Sequence, residues 1–344
     1  MKAILFHQHG DPSVLHYTDV AEPHLRHNEV LVRVRACALN HLDLWVRRGL
    51  PGVPIPLPHI PGSDIAGEIA KIGPEVRDVY VGQKVVLAPG VTCGKCPACL
   101  SGNDNACRDY TNLGYMIDGG CAEYVRCPDV NCFPYPENLD WVHAAAVPLV
   151  FQTAWHMLVT RAQLQPGETV LILAAGSGVG SAAIQIAKFF GARVIATASN
   201  DEKLAKAKLI GADEVIHHGI MPIAKEVRRL TSHHGGVDVV FEHVGSATWD
   251  DSVKSLANGG RLVTCGATTG HDAKIDLRFL FTRQLSILGS YMGTKNELRT
   301  VLKLVAQGRL APIVDKVWPL HDAIAAHNYL EKAKQFGKVV LTVP

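Results

Sequence analysis

The chain has 344 residues, of which 47% are hydrophobic and 19% charged, with a net charge of +2. That length holds two domains with separate cores, and the composition excludes an intrinsically disordered chain. The near-neutral balance contains no long basic run, so neither nucleic acid nor a membrane surface is expected as a partner, and no apolar stretch reaches a membrane span.

Met1-Lys-Ala-Ile-Leu-Phe6 meets His7 and Gln8 too soon for a signal-peptide core and reads as a first strand. Short alternating strands follow at Glu29-Val-Leu-Val-Arg-Val-Arg35 and Ile65-Ala-Gly-Glu-Ile-Ala-Lys-Ile72, and prolines crowd 51–61. Residues 1–145 are therefore expected to form an irregular, mostly antiparallel β domain. Inside it, Cys93, Cys96, Cys99 and Cys107 make C-x2-C-x2-C-x7-C in a loop carrying Gly94, Pro97 and Gly102. Four thiols so close suit one tetrahedral Zn²⁺ bound by four thiolates, a closed shell with no position for water or substrate. The expectation is one structural Zn²⁺ per chain; an iron–sulfur cluster is the rival and coincidental cysteines the plain alternative. Cys37, Cys121, Cys127, Cys132 and Cys265 lie in or beside apolar runs and read as ordinary buried thiols. Nine cysteines without an export signal predict reduced thiols and a cytoplasmic location.

From Trp141 the pattern changes. Val142 to Leu158 reads as a helix, and strands then alternate with helices to about Ser290. The strands are Thr169-Val-Leu-Ile-Leu-Ala174, Arg193 to Ala198, Glu214-Val-Ile216, Asp238-Val-Val-Phe241, Arg261 to Cys265 and Leu285 to Leu288. Such alternation over 146–290 predicts a parallel sheet with helices on both faces. Its organising stretch is the small-residue turn Ala175-Gly-Ser-Gly-Val-Gly180, between the first strand and a helix from Ala182 to Phe190. Strand, glycine turn, helix and strand in that order place a dinucleotide pyrophosphate on the N–H groups of a helix N-terminus. The turn is not the strict G-x-G-x-x-G, since Ala175 and Ser177 replace its first two glycines, and small residues also suit packing alone. Asn296 to Ala306 reads as a helix and Lys338 to Val343 as a closing strand, and residues 291–344 are expected to return to the first domain.

Five stretches together resemble the medium-chain dehydrogenase/reductase superfamily of zinc alcohol dehydrogenases and quinone oxidoreductases. They are Pro61-Gly-Ser-Asp-Ile-Ala-Gly-Glu68, the cysteine loop, Gly119-Gly-Cys-Ala-Glu-Tyr124, Ala175 to Gly180, and Ile287-Leu-Gly-Ser290. The resemblance implies an α/β protein: a Rossmann doubly wound parallel sheet plus a GroES-like β domain with a four-cysteine zinc lobe at about 90–110. It further implies a small-molecule substrate in an inter-domain cleft, and a homodimer or homotetramer paired through the edge strand Leu285 to Leu288.

The departures from the family bear on its catalytic zinc. Where zinc alcohol dehydrogenases place ligands, this sequence has Asn40, the pair Ser63-Asp64, and a position near Leu149; Leu42 stands in place of their proton-relay hydroxyl. These absences resemble the quinone-oxidoreductase branch and imply that no catalytic zinc is held. A site rebuilt from His41, Asp43, His59 and Asp64 is the alternative. By the resemblance, Asn40 and His41 are the catalytic hydrogen-bond donors and Asp43 orients them.

NAD-preferring sites carry an acidic residue after the second strand of the sheet. Here that place holds Ala198, followed by Ser199 and Asn200, and Lys203 matches a phosphate-binding lysine of NADPH-dependent quinone oxidoreductases. Asp201 or Glu202 could face the ribose instead; on balance NADP(H) is favoured over NAD(H). By position, Thr153 is expected at the nicotinamide carboxamide, and Ser177, Gly178, Val179 and Gly180 at the pyrophosphate. Val244 and Gly245 fall on the adenosine side, Gly266 follows the fifth strand, and Ser290 and Met292 flank the nicotinamide. The implied activity is hydride transfer from NAD(P)H to a carbonyl, quinone or enone. A zinc-dependent alcohol dehydrogenase with atypical ligands and a non-catalytic nucleotide-binding protein are the alternatives.

Overall fold

Thr169–Ile172 is buried at every position, as a strand covered on both faces requires. It is central in a six-stranded, wholly parallel sheet. The order across that sheet is Glu214–His217, Arg193–Ala198, Thr169–Ile172, Val237–Glu242, Leu256–Thr264 and Ser286–Gly289. The chain builds outward from Thr169–Ile172 to one edge, crosses back, and builds the other half from Val237–Glu242. The reversal opens a crevice at the carboxyl ends of the two central strands. Leu171, Ile195, Val240 and Leu262 form the core beneath one face.

The computed structural model describes all residues, Met1–Pro344, in two units: Val150–Gly293, which contains this sheet, and Met1–Leu149 with Thr294–Pro344. The helix expected over 142–158 is divided into Trp141–Ala145, Pro148–Trp155 and a wider π-type turn, His156–Arg161. Pro148 explains the first break, because proline disfavours helical geometry in the residue before it. The fifth strand begins at Leu256, earlier than its apolar run, with a register shift against Val237–Val239.

In the other unit the 11-residue strand Glu29–Leu39 is the spine. It pairs antiparallel with Asp64–Ile72, Tyr124–Pro128 and Lys338–Thr342. Val32, Val34, Ile65, Ile69, Val339 and Leu341 pack in its core. The register sets Val339 opposite Leu39 and Ala38 opposite Asp64, which brings Lys338, Asn40 and Asp64 together at the ends of three adjacent strands. Lys295–Ala306 opens with a capping box between Thr294 and Glu297. Lys295 anchors it to the cysteine loop, donating to Asp104 from both its main-chain N–H and its ammonium at 3.1 Å each. No helix is long and apolar enough to cross a membrane.

Candidate active site

The turn after Thr169–Ile172 is shaped by two residues that constrain it from opposite ends. Ala174 adopts φ +46°, and a Cβ on Gly180 would meet the Ala174 carbonyl oxygen at 2.6 Å, so the helix packs here only with glycine. Ser177 caps Gly178–Phe189: its hydroxyl accepts from Gly180 N–H at 2.9 Å and its carbonyl from Ser181 N–H at 2.9 Å. The N–H groups of Gly178 and Val179 are left over, as a bound anion needs.

The other cofactor candidates cluster at the same edge of the sheet. Ser199, Val244, Gly245, Gly266, Ser290 and Met292 all follow the carboxyl ends of its parallel strands. Glu242, which sequence reading missed, shapes one of these loops: its buried carboxylate accepts from the N–H groups of Val244 and Gly245 and the hydroxyls of Thr248 and Ser252. Met292 is buried at φ +53°. The hydroxyls of Thr153 and Ser290 are buried without a partner in the chain. Orphaned buried hydroxyls call for a polar ligand, and the amide and phosphates of a nicotinamide dinucleotide fit this donor set. Lys203 lies on Asp201–Leu209, whose cap is Asn200 accepting from Lys203 N–H at 2.9 Å.

Cys93, Cys96, Cys99 and Cys107 converge, with all four sulfurs within 4.8 Å of one another. The Cys96–Cys99 and Cys93–Cys107 separations are 3.5 Å, and Cys93–Cys99 is 4.0 Å. Four sulfurs each about 2.3 Å from one Zn²⁺ would be spaced about 3.8 Å apart, so the set fits the metal. The N–H of Cys99 donates to the Cys96 sulfur and holds that thiol down at about 6, which favours the thiolate a metal binds. No cysteine is in a disulfide.

Asn40, Asp43 and Asp64 form a buried polar knot with a residue the sequence reading did not single out, Lys338. The Lys338 ammonium donates to Asn40 Oδ1 at 2.5 Å and to Asp64 Oδ2 at 2.8 Å. Asn40 Nδ2 donates to Asp64 Oδ2 at 3.0 Å, and the second Asp64 oxygen accepts from Leu149 N–H at 2.7 Å. Asp43 holds the loops on either side, accepting from the N–H groups of Asn40 at 2.6 Å and Gly62 at 2.9 Å. Burial raises the Asp43 carboxyl to about 6, the hydrogen bonds from Asn40 and Gly62 and the Lys338 charge pulling the other way. His41 begins the helix His41–Arg48 with its ring edge-on to Trp45, 5.6 Å between centroids. His59 is buried against Phe6, its Nε2 without a partner, and does not join the others: the four cysteines are the only set of three or more His, Cys, Asp or Glu side chains that converge on a metal-sized site.

A parallel sheet with a glycine turn at its switch point, in a chain that also carries a four-thiol loop, is the combination seen in the oxidoreductases this chain is similar to. Residues 26–137 match the alcohol dehydrogenase GroES-like domain and residues 178–307 the zinc-binding dehydrogenase domain. The chain is 35% identical over 347 residues to an alcohol dehydrogenase of Geobacillus stearothermophilus, covering 100% of both. It is 29% identical to a quinone oxidoreductase of Sus scrofa, covering 99% of this chain and 97% of that one. A solved NAD-dependent alcohol dehydrogenase superposes with a TM-score of 0.96 at 46% identity over the full length of both chains. The chain belongs to the medium-chain dehydrogenase/reductase superfamily.

Proposed function

We propose that this chain is an NADP(H)-preferring oxidoreductase that delivers hydride to a carbonyl, quinone or enone, with one structural Zn²⁺ in its cysteine lobe and no catalytic metal. The observation that carries this reading is the Lys338 ammonium seated on Asp64 and Asn40. Asp64 is the only carboxylate where the family's catalytic ligands would stand, and both its oxygens are engaged. A divalent ion there would meet a buried ammonium a few ångströms away, a repulsion worth several kcal/mol at low dielectric. Lys338 supplies the positive charge at this place instead.

A dinucleotide bound at the turn would supply a hydride from nicotinamide C4. The N–H groups of Gly178 and Val179 would hold the pyrophosphate, Thr153 and Ser290 would hydrogen-bond the carboxamide, and Ser199 with Lys203 would receive the 2′-phosphate. As the substrate carbon gains hydride its electron pair moves to oxygen, and that charge is met by donors. His41 is the donor we assign to that charge, the Asn40 amide being held by Lys338 and Asp64, and Asp43 fixes the loop that carries both. Oxidation of a plain alcohol is disfavoured on this reading, since the Lys338 ammonium bonded to Asp64 and Asn40 occupies the place of the family's catalytic metal ligands. Nine unpaired cysteines suit a reducing cytoplasm.

Two copies would pair through Ser286–Gly289, one of the two edge strands of the sheet. Nearby, Leu277 and Phe281 are 64% and 68% exposed, a surface that pairing would cover.

The test is a panel of quinones, enones, aldehydes and simple alcohols, each with NADPH or NADH and its oxidised partner. The proposal expects turnover of electron-poor acceptors with NADPH and negligible alcohol oxidation. Efficient alcohol oxidation lost on mild chelation would favour a zinc-dependent alcohol dehydrogenase, and tight NADPH binding without any turnover would favour a non-catalytic role.

A further inference from the structure

The far edge of the parallel sheet brings two histidines to the place where a dinucleotide ribose is read. Register sets His217 beside Ala198, and the N–H of His218 donates to the Ala198 carbonyl at 3.1 Å. His218 Nδ1 lies 3.3 Å from the Thr197 hydroxyl, whose oxygen already accepts from Ala174 N–H at 3.2 Å. One hydroxyl thus links the anion-binding turn to the His218 ring. That oxygen keeps a second lone pair and its own proton, so it pairs with Nδ1 in either neutral tautomer of the His218 ring and in the imidazolium. His217, when neutral, carries its proton on Nε2, since Gly219 N–H donates to its Nδ1 at 3.2 Å.

The charges acting on His218 are Lys203, from Asp201–Leu209, and His217 beside it in sequence; burial and these two like charges lower its pKa. The acidic residues heading the same helix are Asp201 and Glu202, and Glu202 is paired with Lys206 at 2.7 Å. The groups around Ser199 are therefore Lys203, two imidazoles and the Asp201 and Glu202 carboxylates, of which Glu202 is paired with Lys206.

We propose that His218 makes the preference for a 2′-phosphorylated dinucleotide proton-dependent: on acidification it becomes an imidazolium that favours the 2′-phosphate over the plain 2′-hydroxyl. The inference rests on the NADP(H) reading above. Neutral His218 gives a phosphate one neutral hydrogen bond, whereas the imidazolium gives a charge-assisted bond roughly twice as strong. A phosphate dianion among Lys203, His217 and His218 offsets the repulsion that keeps the free ring neutral, so binding takes up a proton at His218. A 2′-hydroxyl brings no such charge. The phosphate's own protonation near pH 6 acts in the opposite sense on any protein, and comparison with a histidine-free variant isolates the ring.

The experiment is isothermal titration of the full chain with adenosine 2′,5′-bisphosphate and with 5′-AMP, in wild type, His218→Gln and His218→Asn. The quantity read is the ratio of the two affinities, at about pH 6 and about pH 8. The expected result is that acidification raises this ratio about tenfold more in wild type than in either variant. Paired buffers of different ionisation enthalpy should show proton uptake on binding by wild type, an observation that stands even where a variant does not fold. Tighter binding of the bisphosphate with the same pH dependence in wild type and variants, or no proton uptake beyond that of AMP, overturns the role of His218 and leaves the NADP(H) reading intact. Equal affinity for both ligands at both pH values overturns the NADP(H) reading itself.

Discussion

Lys338 opens the closing strand of its sheet and donates to the carboxamide oxygen of Asn40, 298 residues earlier in the chain. The same ammonium reaches Asp64, and all three side chains are buried. A charge held this way stabilises only as a pair: removing one partner leaves the other ionised in a dry core. Lys338→Met should lower unfolding stability by roughly 3–5 kcal/mol, read by urea denaturation. Adding Asp64→Asn to Lys338→Met should restore much of that loss. Independent, additive losses would show that the two residues do not act as a pair.

A second buried cation joins the helices His41–Arg48 and Ala323–Glu331. Arg47 donates to His327 Nδ1 at 3.2 Å and also to Glu331. His327 must be neutral to accept, and burial with the Arg47 charge lowers its pKa to about 3. The unfolded chain then binds a proton at His327 that the folded chain refuses between its ordinary value of 6.5 and about 3. This contribution is complete above pH 6.5 and is lost as pH falls toward 3, a span worth about 5 kcal/mol. His327→Gln keeps an acceptor for Arg47 and cannot titrate. Stability measured from neutral pH down to about pH 4 should therefore fall less steeply in the variant than in wild type; parallel curves would remove His327 from the acid response.

The cysteine lobe has few buried apolar side chains of its own, and ligand binding supplies what burial does not. Strong chelation, or Cys107→Ser, should lower the melting temperature by at least roughly 5 °C, while the hydride-transfer rate of the remaining folded protein stays near that of wild type. A stable but inactive Cys107→Ser protein would contradict a structural role for the metal.

Pairing through Ser286–Gly289 predicts a light-scattering mass of at least twice that of the chain. Ile287→Pro, which removes a ladder N–H at that edge, together with Phe281→Glu should shift the protein to monomer. A wild-type protein that is already monomeric would rule out this interface.

The sequence made the parallel sheet legible because its strands are branched, apolar and separated by helix-length intervals, as in Thr169–Ile172 and Arg193–Ala198. The cysteine loop was legible because its four ligands lie within 15 consecutive residues, 93 to 107. The polar knot was not, since Lys338 is separated from both Asn40 and Asp64 by most of the chain, and only strand register brings them together. A lysine before Val339-Val-Leu341 looks like an ordinary solvated strand end. Glu242 was hidden for a related reason: it ends an apolar strand, and its four donors become apparent only when the following loop folds back over it.

Anomalous diffraction at the zinc edge, on crystals of the protein purified without added metal, distinguishes a structural zinc alone from a structural and a catalytic zinc. One peak per chain is expected, among Cys93, Cys96, Cys99 and Cys107, with Lys338 still on Asp64 and Asn40 in protein that reduces its acceptor. A second peak beside Asp64, with the Lys338 ammonium displaced, would contradict it.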